Sequence, residues 1–109
     1  MAIATINPAT GEVLKTFEPI SDALLEEKLQ RAVNAFGEFR KTSFSSRAAM
    51  MVKVAEILEA DKEKLGKVMT TEMGKTYRSA VDEAAKCAWV CRYYAENAEK
   101  FLADEAADV

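Results

Sequence analysis

Residues 76 to 104 restrict the fold of this chain more than any other segment, because they predict one long helix that is apolar on nearly every side. The run AAKCAWVC at residues 84 to 91 places apolar groups all around its middle. A helix of this kind is normally covered on several sides. One stripe has steps that alternate between four and three residues, as in a heptad seam; its members are Tyr77, Val81, Ala84, Ala88, Cys91, Ala95, Ala98 and Leu102.

The beginning of the chain predicts a β-hairpin, over residues 2 to 18. Asn7-Pro8 and Thr10-Gly11 are turn signals, and the stretches on either side of them favour extended structure. A two-stranded ribbon is only marginally stable by itself in water. The hairpin therefore needs a surface on which to lie.

Three shorter helices are predicted between the hairpin and the long helix. The sequence thus predicts a mainly α fold of about four helices, over residues 21 to 104, behind an N-terminal β-hairpin. No interior linker stands out, so residues 1 to 109 are expected to form one unit. Polar residues that cap helices and a glycine that ends them give the expected boundaries: starts at Ser21 or Asp22, at Ser45 or Ser46 and at Asp61, and a stop at Gly74.

These elements leave apolar surface without cover. A chain of 109 residues is long enough for one modest core. Three short helices and a weak hairpin can shield one or two sides of the long helix, and the remaining sides stay exposed. The pattern indicates that the chain lacks a neighbour.

The composition excludes several classes of function. The net charge of −3, with no Lys/Arg-rich tract, argues against a nucleic-acid partner. No apolar run approaches the roughly 18 residues of a membrane span. Two cysteines and no visible export signal predict the cytoplasm, with free thiols. The chain has no histidine, so it cannot form a Ser-His or Cys-His nucleophile pair, and it lacks the commonest metal ligand.

Cys87 and Cys91 raise the question of a disulfide, a metal site or a nucleophile. On a helix they lie one turn apart, with Cβ atoms about 5–6 Å from each other, whereas a disulfide needs about 3.5–4.5 Å. A tetrahedral metal site needs two further ligands, which leaves only a site shared between chains. A position in the middle of a helix also gives a nucleophile none of its usual activating partners. The favoured interpretation is that both are small buried thiols that pack the helix.

Three stretches, in this order and spacing, resemble the N-terminus of the NAD(P)-dependent aldehyde dehydrogenase superfamily. They are NPATGEV at residues 7 to 13, EMGK at 72 to 75 and RYYAENAEKF at 92 to 101. The resemblance spans essentially the whole chain, which is most similar to the bacterial succinate-semialdehyde dehydrogenases. It implies that residues 1 to 109 are an incomplete portion of the α/β Rossmann-like cofactor domain. The hairpin and helices would pack around a parallel sheet whose strands come later in the parent chain.

The resemblance also implies a chemistry that this chain does not carry. In the family a cysteine thiolate attacks the aldehyde, an asparagine holds the oxyanion, hydride passes to the nicotinamide and a glutamate activates water. Those residues, and the lysine and glutamate that bind the nucleotide, belong to motifs that this sequence does not contain. Cys87 and Cys91 do not match the nucleophile. We therefore expect no catalytic, cofactor-binding or metal-binding residue here, no cofactor bound by this chain alone, and no activity without the rest of the enzyme. The cofactor is NAD or NADP in the family.

One set of residues has an implied role at the substrate. In family members the long helix flanks the mouth of the substrate tunnel, and the matching positions are Glu83, Lys86 and Val90. A cation at Lys86 could attract an aldehyde that carries a carboxylate, such as succinate semialdehyde. The alternative is that Lys86 is an exposed lysine without a function.

Two hypotheses of function follow. In the first, the chain is the N-terminal part of an aldehyde dehydrogenase, and its partner is the remainder of that fold, with self-association through exposed apolar faces as a further possibility. In the second, it is a self-standing α-helical interaction module without catalysis, which binds a partner helix through the surface around Trp89 and Tyr94.

Overall fold

The predicted hairpin and four helices are all present. A computed structural model describes residues 3–107 of the chain. Residue 2 of the predicted hairpin and residues 1, 108 and 109 of the predicted unit lie outside this range. The elements are β1 (Ile3–Ile6), β2 (Val13–Phe17), α1 (Asp22–Phe39), α2 (Phe44–Ala60), α3 (Lys62–Met73) and α4 (Tyr77–Phe101).

The hairpin is antiparallel, and the side chain of Asn7 makes a hydrogen bond within its turn. Ile3 lies opposite Phe17, and the register shifts next to the turn. The Asn7 side chain accepts a hydrogen bond from the Ala9 N–H at 3.0 Å, which is the local turn contact expected of asparagine. Gly11 has a φ of +75°, a conformation that glycine adopts without strain. The turn signals of the sequence are thus confirmed.

The first two helices start at serine caps. The Ser21 side chain accepts a hydrogen bond from the Leu24 N–H at 3.3 Å, as predicted. The prediction for α2 was wrong, because its cap is Ser43 rather than Ser45 or Ser46. Ser43 Oγ accepts the Ser46 N–H at 3.1 Å, so Ser46 supplies one of the free donors of the first helical turn.

The remaining helix boundaries lie at Asp61, at Gly74 and before the acidic end of the chain. Asp61 precedes α3, although its side chain makes no capping hydrogen bond. Gly74 ends α3 in the left-handed conformation, with a φ of +72°, as predicted. Helix α4 ends at Phe101, short of the predicted residue 104. Asp104 and Glu105 follow it, and negative charges at a helix C-terminus oppose the helix dipole.

Small residues hold α4 against α2 and α3. Ala80, Ala84 and Ala88 on α4 are buried, as are Ala55 on α2 and Gly66 on α3, the two helices that pack on α4. The predicted heptad stripe is only partly correct. Its alanines pack, but its two ends, Tyr77 and Leu102, are exposed.

Helix α1 contacts no other helix or strand among the described residues. Its apolar stripe is exposed, and the Leu29 side chain retains 53% and Phe36 61% of its accessible surface. The radius of gyration is 19.2 Å, whereas a compact chain of about 100 residues has about 13 Å. The accessible surface is 9092 Å², against about 6,000 Å² for a compact monomer of this mass. Residues 3–107 therefore do not close around a core of their own.

No helix within residues 3–107 is both long enough and apolar enough to span a bilayer.

Candidate functional site

An open groove of about 800 Å³ runs along one side of α4. Its lining includes Glu83, Lys86 and Val90, the three residues for which the family resemblance implies a place at the mouth of the substrate tunnel. Glu83 and Lys86 are exposed and Val90 is half-buried. Their spacing of three and four residues puts them on one helical face. The rest of the lining is Lys75, Ser79, Asp82, Cys87 and Cys91.

The charges of the groove are unevenly paired. Lys75, in the connection between α3 and α4, donates a hydrogen bond from Nζ to Oε2 of Glu83. This hydrogen bond, together with the charge of Lys75, lowers the pKa of Glu83, and the charge of Lys86 lowers it slightly further. Lys86 itself forms no ion pair within the described part of the chain, not even with Asp82 one turn earlier. In the groove, the carboxylate of Glu83 is thus paired with Lys75, whereas the ammonium of Lys86 has no ion-pair partner within residues 3–107.

Lys75 is the residue of this groove that the sequence reasoning missed. It belongs to the EMGK stretch, but nothing in the local pattern connects it with Glu83, eight residues later. The signal available was Gly74, whose left-handed conformation turns the chain between the two helices. A glycine stop followed by a short connection brings the next residue back toward the start of the following helix.

The cysteines do not match the prediction of buried packing groups. Cys87 is exposed, Cys91 is half-buried, and both are free thiols. The reason is the orientation of α4, which turns the edge formed by Ala80, Ala84 and Ala88 toward its neighbours. Cys87 and Cys91 lie beside that edge, in the groove. Within residues 3–107 no three Cys, Asp or Glu side chains come together as a metal site.

A second cleft, of about 290 Å³, lies between the start of α2 and the end of α4. The Arg47 guanidinium stacks 4.7 Å from the centre of the Phe44 ring at its edge. The Nε of Arg47 is buried without a hydrogen-bond partner among the described residues. Met51 and Leu102 contribute apolar lining, and sequence reasoning did not identify this cleft.

Aromatic side chains form a row along the last turns of α4. The Trp89 and Tyr93 rings are stacked with centroids 6.0 Å apart, and Tyr93 meets Tyr94 edge-on at 5.4 Å. Phe101 continues the row at 6.1 Å from Tyr93. Trp89 is 62% exposed, so the row presents a large apolar surface to the outside.

The described residues do not fit a dinucleotide cofactor. Such a cofactor is usually held by a glycine-rich loop that opens a helix. The only described glycines with positive φ, Gly11 and Gly74, stand singly, one in the hairpin turn and one at the end of α3. Residues 3–107 therefore provide a groove and exposed faces, without a glycine-rich loop of this kind.

Known proteins similar to this chain belong to one family. The model of the aldehyde dehydrogenase family matches residues 1–109. The succinate-semialdehyde dehydrogenase [NADP(+)] of Mycobacterium avium (strain 104) is 52% identical over 109 residues, which are 99% of this chain and 23% of that protein. The corresponding protein of Mycobacterium leprae (strain TN) is 51% identical over 108 residues, 99% of this chain and 24% of its own length.

A solved structure shows the same fold. The succinic semialdehyde dehydrogenase of Streptococcus pyogenes, in complex with NADP+, superposes with a TM-score of 0.90 at 37% identity. The match covers 99% of this chain and 24% of that one. The chain thus spans about a quarter of the length of the relatives that it matches. Sequence similarity and fold similarity agree, and the chain belongs to the aldehyde dehydrogenase family.

Proposed function

We propose that this chain is the N-terminal part of an enzyme that oxidises succinate semialdehyde to its acid with NAD or NADP. The observation that carries the proposal is the 52% identity with a succinate-semialdehyde dehydrogenase over the whole chain. The exposed faces of α1 and α4 support it, because they provide the surface against which further parts of the same fold pack. The cytoplasmic location expected from the sequence belongs to the proposal and is supported by the two free thiols.

The contribution of this chain to the reaction is to guide the substrate. The groove of Glu83, Lys86 and Val90 flanks the path of the aldehyde, and the free ammonium of Lys86 attracts the distal carboxylate. Because Lys75 pairs with Glu83, the carboxylate of the substrate is repelled less by Glu83. An exposed ion pair is worth about 0.2–1 kcal/mol, which corresponds to a change in KM of up to about fivefold.

The chain alone is expected to catalyse nothing. The reacting cysteine, the oxyanion donor, the general base and the cofactor site are assigned to other parts of the enzyme. These parts are the proposed partner of the faces that α1 and α4 expose.

The test uses the longer enzyme that contains this sequence. We expect Lys86→Ala to raise KM for succinate semialdehyde about two- to fivefold and to leave KM for the neutral aldehyde butanal unchanged. Lys67→Ala is the matched control, because Lys67 is an exposed lysine on α3 outside the groove. An unchanged ratio of the two KM values in Lys86→Ala would remove Lys86 from substrate recognition. Absence of succinate semialdehyde oxidation by the unmodified enzyme would remove the proposed function itself.

A second function is favoured by the aromatic row on α4. Exposed Trp and Tyr side chains are typical anchors of protein interfaces. A self-standing helical interaction module would use Trp89, Tyr93 and Tyr94 to bind an apolar partner helix. The two functions differ in whether the 109-residue chain folds cooperatively by itself.

A further inference from the structure

We propose that Cys87 and Cys91 form a two-coordinate binding site for a soft monovalent cation, Cu(I). Both thiols are free, both line the open groove along α4, and Cys87 is exposed. The site does not depend on the proposed function, because it requires only this helix and its groove.

The helical spacing that disfavours a disulfide suits a linear metal bridge. Side chains one turn apart have Cβ atoms about 5–6 Å from each other, and a disulfide would have to draw them to about 3.5–4.5 Å. Two collinear metal–sulfur bonds of about 2.3 Å, the length found with zinc, place the sulfurs about 4.6 Å apart. Sulfur atoms turned toward each other from Cys87 and Cys91 can span that distance without bending the helix.

The ligand count selects the kind of metal. No third Cys, Asp or Glu side chain completes a cluster with the two thiols in the described part of the chain. A tetrahedral zinc site needs four ligands. Thiolates alone, in a set of two, suit Cu(I), which is soft.

The groove also balances the charge of the complex. On binding, each S–H bond breaks and each S–Cu bond forms, two protons pass to solvent, and copper stays in the +1 state. The bis-thiolate complex carries a charge of −1. Lys86, adjacent to Cys87 and without an ion pair among residues 3–107, supplies the compensating positive charge.

The experiment titrates the longer enzyme that contains this sequence, fully reduced, with Cu(I), without oxygen, in competition with the chelator bicinchoninate. Sedimentation gives the mass of the complex, and a pH-stat counts the protons released. The variants are Cys87→Ser, Cys91→Ser and the rearranged pair Cys91→Ser/Trp89→Cys. The rearranged pair keeps two thiols but points them in different directions on the helix. Far-UV circular dichroism checks that every variant keeps the helix content of the unmodified enzyme.

Relative to the unmodified enzyme, we expect Cys87→Ser and Cys91→Ser each to hold one Cu(I) fewer per subunit and to release two protons fewer. Because the second bond forms within one molecule, the affinity should exceed that of each single-thiol variant and of the rearranged pair by about 100-fold or more. Equal affinity of the rearranged pair would overturn the proposal, as would one Cu(I) shared by two chains. Neither result would touch the proposed oxidation of an aldehyde, since no readout measures that activity.

Discussion

Gly66 on α3 lies directly against Val81 on α4. A Cβ atom at position 66 would lie 2.7 Å from Val81 Cγ2 and 3.1 Å from the Val81 backbone nitrogen. The first distance is shorter than Cβ contacts in real structures and the second is tighter than most of them, so the two helices approach as closely as they do because residue 66 has no side chain. The buried alanines of α4 continue the same close packing. This seam orders the helices, but its small side chains bury little apolar area.

Gly66→Ala should destabilise the packing of α3 on α4. Overpacking costs about 1–3 kcal/mol, and alanine returns up to about 1 kcal/mol of helix propensity. Because the obstructing atoms include backbone, we expect a net loss of about 1 kcal/mol in the free energy of local opening, measured by amide hydrogen exchange of α3 and α4. Gly37→Ala is the control. It lies in α1 with nothing within 4 Å, and we expect it to stabilise α1. A stabilising Gly66→Ala would contradict the close contact.

The pair of Arg92 and Glu59 should make the contact of α2 with α4 sensitive to acid. Arg92 Nε donates to Glu59 Oε1 at 3.0 Å, and Nη2 donates to Oε2 at 2.6 Å. The hydrogen bonds from Arg92 lower the pKa of Glu59. A carboxyl whose pKa is lowered on folding stabilises the folded state above its unfolded-state pKa and stops doing so as the pH falls through its folded-state value.

We therefore expect the exchange protection of α4 to fall as the pH is lowered from about 6, through the ordinary glutamate pKa of about 4.3, to about 3. Glu59→Gln should remove most of this dependence. Glu38→Gln, which loses only a local pair between α1 and Lys41 just beyond its end, should leave the dependence intact. The same acid response in Glu59→Gln and in the unmodified chain would show that the pair does not couple the two helices.

Shortening one apolar side chain on α1 should affect stability differently in the 109-residue chain and in the longer enzyme. Leu29 is exposed here, so Leu29→Ala should change the stability of the isolated chain by less than about 0.5 kcal/mol. If further parts of the fold cover α1, the same change should cost about 2–5 kcal/mol in the longer enzyme. Urea unfolding of the enzyme and hydrogen exchange of the chain measure the two values. Equal small effects in both would mean that α1 stays uncovered.

Local signals made much of the fold predictable from the sequence. The Asn7 turn, the Ser21 cap and the stop at Gly74 each depend on one residue and its immediate neighbours. The error at the start of α2 came from a run of serines, any of which could cap, and only the backbone selects Ser43. The exposure of Cys87 could not be predicted, because it depends on which edge of α4 faces α2 and α3.

The family resemblance supplied Glu83, Lys86 and Val90, and helical periodicity explains why they share one face. The groove itself was not predicted. The pairing of Glu83 with Lys75 crosses the turn between two helices, and Arg92 meets Glu59 from 33 positions away. Contacts of this kind depend on tertiary packing, which no local pattern of the sequence contains.

The most direct test of the central claim is a thermal melt of the purified 109-residue chain, combined with sedimentation and binding of an apolar dye. If the exposed apolar faces are normally covered by the rest of a dehydrogenase fold, the chain should melt broadly, bind the dye and associate without a defined stoichiometry. A sharp cooperative melt of a defined monomer or dimer that binds no dye would contradict the claim and favour a self-standing interaction module.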